Sequence, residues 1–251
     1  MGFWPAAMQT IKNADIIIFV LDARMPDMSR NKDLEKKLKT SKKEVLIVFN
    51  KIDLIPQYKL KKLKEENPGH FFVSSINKKS VSMLRLKLQM LAKSLKVEKV
   101  EVGIIGYPNV GKSALANILT RAAKAKVSSM AGTTKGLQWI SGTKIKILDS
   151  PGVIPFEDDE VKLGILGAKN PEKLKNAELV ALKIIDLFLE NTAKNLEKIY
   201  KIKIENENDS YEIFTKIGEI RKLLKKGGLI DEQRTSKLII KDWQTGKLLL
   251  E

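Results

Sequence analysis

The chain has 251 residues, 43% of them apolar, enough to bury one moderate domain and a smaller companion. It has no cysteine, which excludes disulfides and thiolate chemistry, and its one histidine, His70, argues against a histidine metal cluster or a Ser-His-Asp triad. The net charge of +16 is uneven: residues 1–175 hold 32 Lys and Arg against 17 Asp and Glu, residues 176–251 hold 14 against 13, and the span 30–64 alone has 12 basic and 4 acidic side chains. Counterion release would draw a polyanion to such a surface, although a lysine-rich solvated face has the same composition.

From the N-terminus, MGFWPAAMQTIKNADIIIF lacks the basic start and long apolar core of a secretory signal. Ala6 stands where myristoylation requires Ser or Thr. No apolar run nears the roughly 18 residues of a membrane span, so a cytoplasmic protein with no membrane partner is expected. The first predicted strand, 15–22, ends in Asp22-Ala23-Arg24; a helix at 31–41 leads to a strand at 44–50 that ends in Asn50-Lys51-Ile52-Asp53. A helix at 57–66 precedes a strand at 70–74 closing on Ser74-Ser75, and a helix at 79–94 precedes a strand at 100–106. That strand runs straight into GYPNVGKS and a helix at 112–121. Strands at 137–141 and 144–149 follow, joined around Ser141-Gly142-Thr143 and therefore antiparallel. Such alternation predicts an α/β fold, a doubly wound, mostly parallel six-stranded sheet with helices on both faces. Past residue 170 the strand pattern stops, and helices are predicted at 175–190, 192–201, 210–225 and 231–242, the last with Asp231 as N-cap and Arg234, Lys237 and Lys241 on one face. The expected domains are 1–172 and an all-helical 173–251.

GYPNVGKS fits G-x-x-x-x-G-K-[ST] between a strand and a helix, the context that makes this string a phosphate-binding loop. Gly106 and Gly111 let the backbone N–H groups of Asn109, Val110, Gly111 and Ala114 turn toward phosphate oxygens, and the helix N-terminus adds its dipole. Lys112 is expected at the β- and γ-phosphates and Ser113 on Mg²⁺. At the end of the second strand the Asp53 carboxylate can accept two hydrogen bonds from guanine N1–H and N2–H₂, which adenine cannot donate. Asn50 and Lys51 belong to the same loop, and Ser74-Ser75 could place a backbone N–H on guanine O6. Asp149-Ser150-Pro151-Gly152 fits D-x-x-G, with Asp149 holding Mg²⁺ through water and the Gly152 N–H sensing the γ-phosphate. Gly132-Thr133-Thr134-Lys135 lies where a switch threonine, Thr134 or Thr133, would reach the same ion. The catalytic set expected is Lys112, Thr134 and Gly152, with GTP or GDP as ligand.

These strings are those of Ras-like P-loop GTPases in rotated order, and the chain resembles the circularly permuted GTPases of the YlqF/RbgA and YawG type. The resemblance rests on that order, on Asp22-Ala23-Arg24 and on LIDEQRTSKLIIKDWQTGKL at 229–248. It implies GTP hydrolysis coupled to assembly of the large ribosomal subunit through rRNA, in a monomer and without DNA. It also implies K⁺ held by Asn109, in the place of an arginine finger. Two departures stand out. Val153 follows Gly152 where Ras has a water-orienting Gln, and Ala7 occupies the position of a histidine proposed to assist hydrolysis in bacterial relatives. Two other readings stay open: an RNA-binding module with GTP as a structural ligand, and a P-loop enzyme that phosphorylates a small molecule. Permutation leaves strand neighbours intact but moves the point of attachment. The helical domain thus follows directly on D-x-x-G and its helix, so that nucleotide state would reposition residues 176–251 against RNA.

Overall fold

A computed structural model describes residues 4–120, 137–141, 145–155, 158–191, 193–204 and 209–250. The chain packs as two units, Met1–Asp53 with Gln57–Glu157, and Leu54–Pro56 with Asp158–Glu251. Among the described residues no helix is long and apolar enough to cross a membrane.

The first unit opens with helix α1 (Trp4–Asn13), strand β1 (Ile16–Asp22), a single turn α2 (Pro26–Ser29) and helix α3 (Lys32–Thr40). Strand β2 (Glu44–Asn50), helix α4 (Gln57–Glu66), strand β3 (Phe71–Phe72), helix α5 (Ser82–Ser94), strand β4 (Val100–Gly106) and helix α6 (Lys112–Thr120) follow. Strands β5 (Gln138–Ser141) and β6 (Ile145–Asp149) complete one six-stranded sheet in the order β3-β2-β1-β4-β6-β5. All pairs are parallel except β5 with β6, as the sequence predicts. Every residue of β1 is buried, because an unbroken apolar run suits a central strand covered on both faces. The chain steps outward from β1 to β2 and β3, then returns to the far side of β1 with β4. That reversal makes the carboxyl ends of β1 and β4 a topological switch point, where such sheets open a crevice for ligands.

Helix α1 is not predicted by the sequence reading. WPAAMQTIKN is short and only weakly apolar, but β4 provides a seat for it. A Cβ at Gly103 would stand 2.6 Å from Thr10 Cγ2 and 3.1 Å from Ala14 Cβ, so the missing side chain of Gly103 is what lets the helix approach. Strand β3 is shorter than 70–74, with only Val48 and Phe49 in register with it.

The second unit contains α7 (Glu160–Ile165), α8 (Ala177–Leu189), α9 (Lys194–Tyr200), α10 (Ser210–Ile220) and α11 (Glu232–Gln244). Its core gathers Val180, Ile184 and Phe188 of α8, Phe214 and Ile217 of α10, and Ile239, Ile240 and Trp243 of α11. Phe188 and Trp243 meet edge to face at 5.9 Å. Asp231 caps α11 by accepting from Arg234 N–H at 3.0 Å, as expected. Helix α7 lies within this unit: Trp243 Nε1–H donates to Ile165 O and Gln244 Nε2–H to Gly164 O, both at 2.8 Å. The packing units therefore divide at 157/158, ahead of the 172/173 boundary placed by sequence. Helix α10 stops at Ile220, short of the predicted 225. Lys222 takes φ +54°, and Leu224 pairs with Ile230 across a turn in which Gly227 and Gly228 both have positive φ.

Candidate functional site

The predicted nucleotide loops of the first unit leave the carboxyl ends of β2, β4 and β6, and the loop after β3 joins them. Parallel strands place all these ends on one edge of the sheet. Between β4 and α6 the phosphate loop curls with Gly106 at φ +150°, Asn109 at φ +59° and Gly111 at φ +95°. No larger residue fits at either glycine: a Cβ would come within 2.5 Å of Val20 O at Gly106 and 2.2 Å of Asn50 Nδ2 at Gly111. Val110 is buried, and Ala114 lies in the first turn of α6.

Lys112 is 6% exposed, and its ammonium donates to Tyr107 O at 2.7 Å and Gly106 O at 3.3 Å. Ser113 Oγ–H donates to Asp149 Oδ2 at 2.6 Å, which brings together the two residues expected on Mg²⁺. Gly152 packs so tightly on the phosphate loop that a Cβ would lie 2.3 Å from Pro108 N. The next residue, Val153, is fully buried and its N–H donates to Gly106 O at 3.1 Å. The D-x-x-G segment is thus joined to the phosphate loop through backbone, and the side chain in the Gln position points into the core.

On the base side, Asn50 is fully buried and ties three loops together. Its Nδ2–H donates to Val110 O at 2.8 Å and Ser75 Oγ at 3.3 Å, and its Oδ1 accepts from Ser75 N–H at 3.0 Å. Lys51 sits at φ +66°, and Asp53 is exposed on the 3₁₀ turn Ile52–Leu54, free of any packing role. The backbone N–H groups of Ser74 and Ser75, expected to face guanine O6, are both hydrogen-bonded within the protein. Ser74 N–H donates to Ser80 Oγ at 2.9 Å and Ser75 N–H is taken by Asn50. The Ser74 hydroxyl, by contrast, is buried without a hydrogen-bond partner among the described residues. Thr133 and Thr134 lie outside the described residues. His70 rests beside Pro68 O at 3.0 Å, ahead of β3 and away from the carboxyl ends.

Sequence reading passed over one set of contacts. Asp22, at the end of β1, holds both Arg24 and Lys51, and the last of these belongs to the base loop. A charged residue ending a fully apolar strand was the available signal.

Burial lowers the Lys112 ammonium to about 8, with Asp149 opposing the shift and Lys51 adding to it. A bound phosphate would favour the charged form and keep the proton to higher pH. Affinity for a nucleoside diphosphate should therefore be level below about pH 8 and fall as pH rises above it, with proton uptake on binding in that range. Titration calorimetry in two buffers of different ionisation enthalpy measures that uptake. Identical heats in the two buffers above pH 8 would mean that Lys112 does not meet the phosphates.

Comparison with known proteins agrees with this layout. Residues 5–157 match the RsgA GTPase family, and residues 101–216 match the family described as 50S ribosome-binding GTPase. An uncharacterized GTP-binding protein of Methanocaldococcus jannaschii is 43% identical over 95% of this chain and 64% of its own length. Nucleolar GTP-binding protein 2 of Saccharomyces cerevisiae is 32% identical over 98% of this chain and 52% of its own. The chain thus spans between about half and two thirds of the length of these curated relatives. The GDP-bound structure of Thermotoga maritima YlqF superimposes with a TM-score of 0.63 at 24% identity, covering 97% of each chain, a likeness of fold.

Proposed function

Because this chain belongs to the circularly permuted GTPases, matching the RsgA GTPase family over residues 5–157, we propose that it binds GTP and GDP and hydrolyses GTP as a switch in assembly of the large ribosomal subunit. The observation that carries this reading is Asn50, whose amide joins the base loop to the phosphate loop across 60 positions of sequence. Asp53 selects guanine, the Asn109–Ala114 backbone and Lys112 hold the phosphates, and the Gly152 N–H meets the γ-phosphate. Ser113 and Asp149 present two hard oxygens 2.6 Å apart, the hydroxyl suited to Mg²⁺ itself and the carboxylate to a water on it, with phosphates and further water supplying the rest. Together with Thr134 they would hold that ion, which when bound supplies charge neutralisation at the phosphates.

RNA is the macromolecular partner this reading assigns to the basic charge. Lys36, Lys37 and Lys39 of α3 and Lys61, Lys62 and Lys64 of α4 are all exposed. Right-handed crossovers from β1 to β2 and from β2 to β3 run in one direction and put both helices on the same face of the sheet. The names of the yeast relative and of the 50S-binding family point to ribosome assembly, so the protein would work wherever large subunits are built.

One observation favours a second reading, in which GTP is a structural ligand with little turnover: buried Val153 cannot orient water. Intrinsic turnover is accordingly expected to be slow, on the order of 10⁻⁴–10⁻³ s⁻¹ as for Ras alone. Asn109 offers a remedy by holding K⁺ beside the phosphates. Exchanging NaCl for KCl at equal ionic strength should raise phosphate release several-fold, and Asn109→Ala should lose that gain; ribosomal subunits should raise it further. If the rate is the same in both salts and unmoved by subunits, the structural-ligand reading replaces the switch.

A further inference from the structure

The base loop contains a lysine in a left-handed backbone conformation, Lys51 at φ +66°. Its ammonium donates to Asp22 Oδ2 at 2.7 Å. The same carboxylate receives Arg24 Nη2–H on Oδ2 at 2.8 Å, and Arg24 Nε–H and the Arg24 backbone N–H on Oδ1, both at 3.1 Å. Ser29 Oγ accepts from Asp22 N–H at 3.0 Å, and Ala23 N–H donates to Asn50 O at 2.8 Å, so the backbones on either side of the contact are fixed as well. The side chains of Asp22 and Arg24 are 2% exposed and that of Lys51 17%. Burial by itself would raise the Asp22 carboxyl, but the charges and hydrogen bonds of Arg24 and Lys51 outweigh it and hold the acid well below the usual carboxylate range.

A pair of Asp22 and Arg24 alone would be balanced. Lys51 brings a second cation to the same carboxylate, a contact that reaches out of the Asp22–Arg24 pair into the base loop. Its effect is to clamp the loop that carries Asp53. We propose that Asp22 is a positioning residue for guanine binding, acting through Lys51 to fix the base loop, with Arg24 orienting the carboxylate. This rests on the reading of Asp53 as the guanine-binding residue. Asp22 acts through the loop, tying it to the carboxyl end of β1. Its loss should show in how long a guanine nucleotide stays bound and in KM, with kcat at saturating GTP falling much less.

The test follows release of a fluorescent GDP from the parent, Asp22→Asn, Lys51→Ala and the double variant, with melting temperatures measured alongside. Lys51→Ala leaves the neutral Asp22–Arg24 pair in place and provides a folded variant if Asp22→Asn is unstable. Each single variant should release GDP roughly tenfold faster or more, and the double variant no faster than Lys51→Ala, because both changes remove one clamp. Parent-like release from Lys51→Ala, or single effects that multiply in the double variant, would overturn the proposal. A merely structural Asp22 would lower the melting temperature without altering KM. Asp53→Asn in the same assay separates the two levels: parent-like guanine selectivity there refutes the base-site reading itself. Altered selectivity there, with parent-like release from folded Asp22→Asn, refutes only the clamp.

Discussion

Replacing Lys112 with alanine should abolish measurable phosphate release, a loss on the order of 10²–10³-fold or more, while the protein stays folded. In phosphoryl transfer the protein contributes mainly position and charge, and Lys112 is the buried cation of the phosphate loop. Its contribution to folding has the opposite sign. Burial lowers its pKa to about 8 from the ordinary lysine value of 10.5, so the folded protein confines a charge that the unfolded chain exposes to water. That cost is complete below about pH 8 and disappears as pH rises from there to 10.5. The alanine variant should therefore melt at the same temperature as the parent or higher at neutral pH, moderated by the donor lost to Tyr107 O and Gly106 O. Phosphate release and a thermal melt on the same preparation check both halves. A variant that hydrolyses GTP at the parent rate would refute the phosphate-loop assignment.

Asp53→Asn should weaken GTP and GDP binding on the order of 10³-fold and move preference toward xanthine nucleotides. Guanine offers two donors, N1–H and N2–H₂, to one carboxylate; a carboxamide can accept only one of them and turns its own donor toward the other. Xanthine has a carbonyl at C2, which that donor can satisfy. Asp53 is exposed on its turn, so the substitution disturbs no packing and stability should not change. Competition of labelled GDP with unlabelled guanine and xanthine diphosphates measures the switch, and unchanged selectivity would remove Asp53 from the base site.

Much of this site could be read from the sequence because its parts are local. A phosphate loop needs glycines at fixed offsets between a strand and a helix, and Gly106, Gly111, Lys112 and Ser113 satisfy that within eight residues. Buried parallel strands need apolar runs, and IIIFVL and VGIIG supply them. Length, caps and turn glycines gave the helical unit, with Asp231 in its expected place. The order of the strings alone established the permutation. Where the reading failed, the deciding interaction came from elsewhere in the chain. Trp4–Asn13 becomes a helix against the bare backbone of Gly103, some ninety positions away. Predicted helix 210–225 ends early because Leu224 finds Ile230 across a glycine turn.

Sequence by itself determined the fold class, the order of the loops and the residue types proposed to meet phosphate and base, since each follows from periodicity or from chemistry within a few residues. Only the tertiary structure decided what holds those loops in register. Asn50 reaches Val110 and Ser75, and Asp22 reaches Lys51. Neither link has a sequence period, because a parallel sheet brings strand ends together across any intervening length of chain. Side chains at those ends are matched by the spacing of neighbouring strands and not by their distance along the sequence.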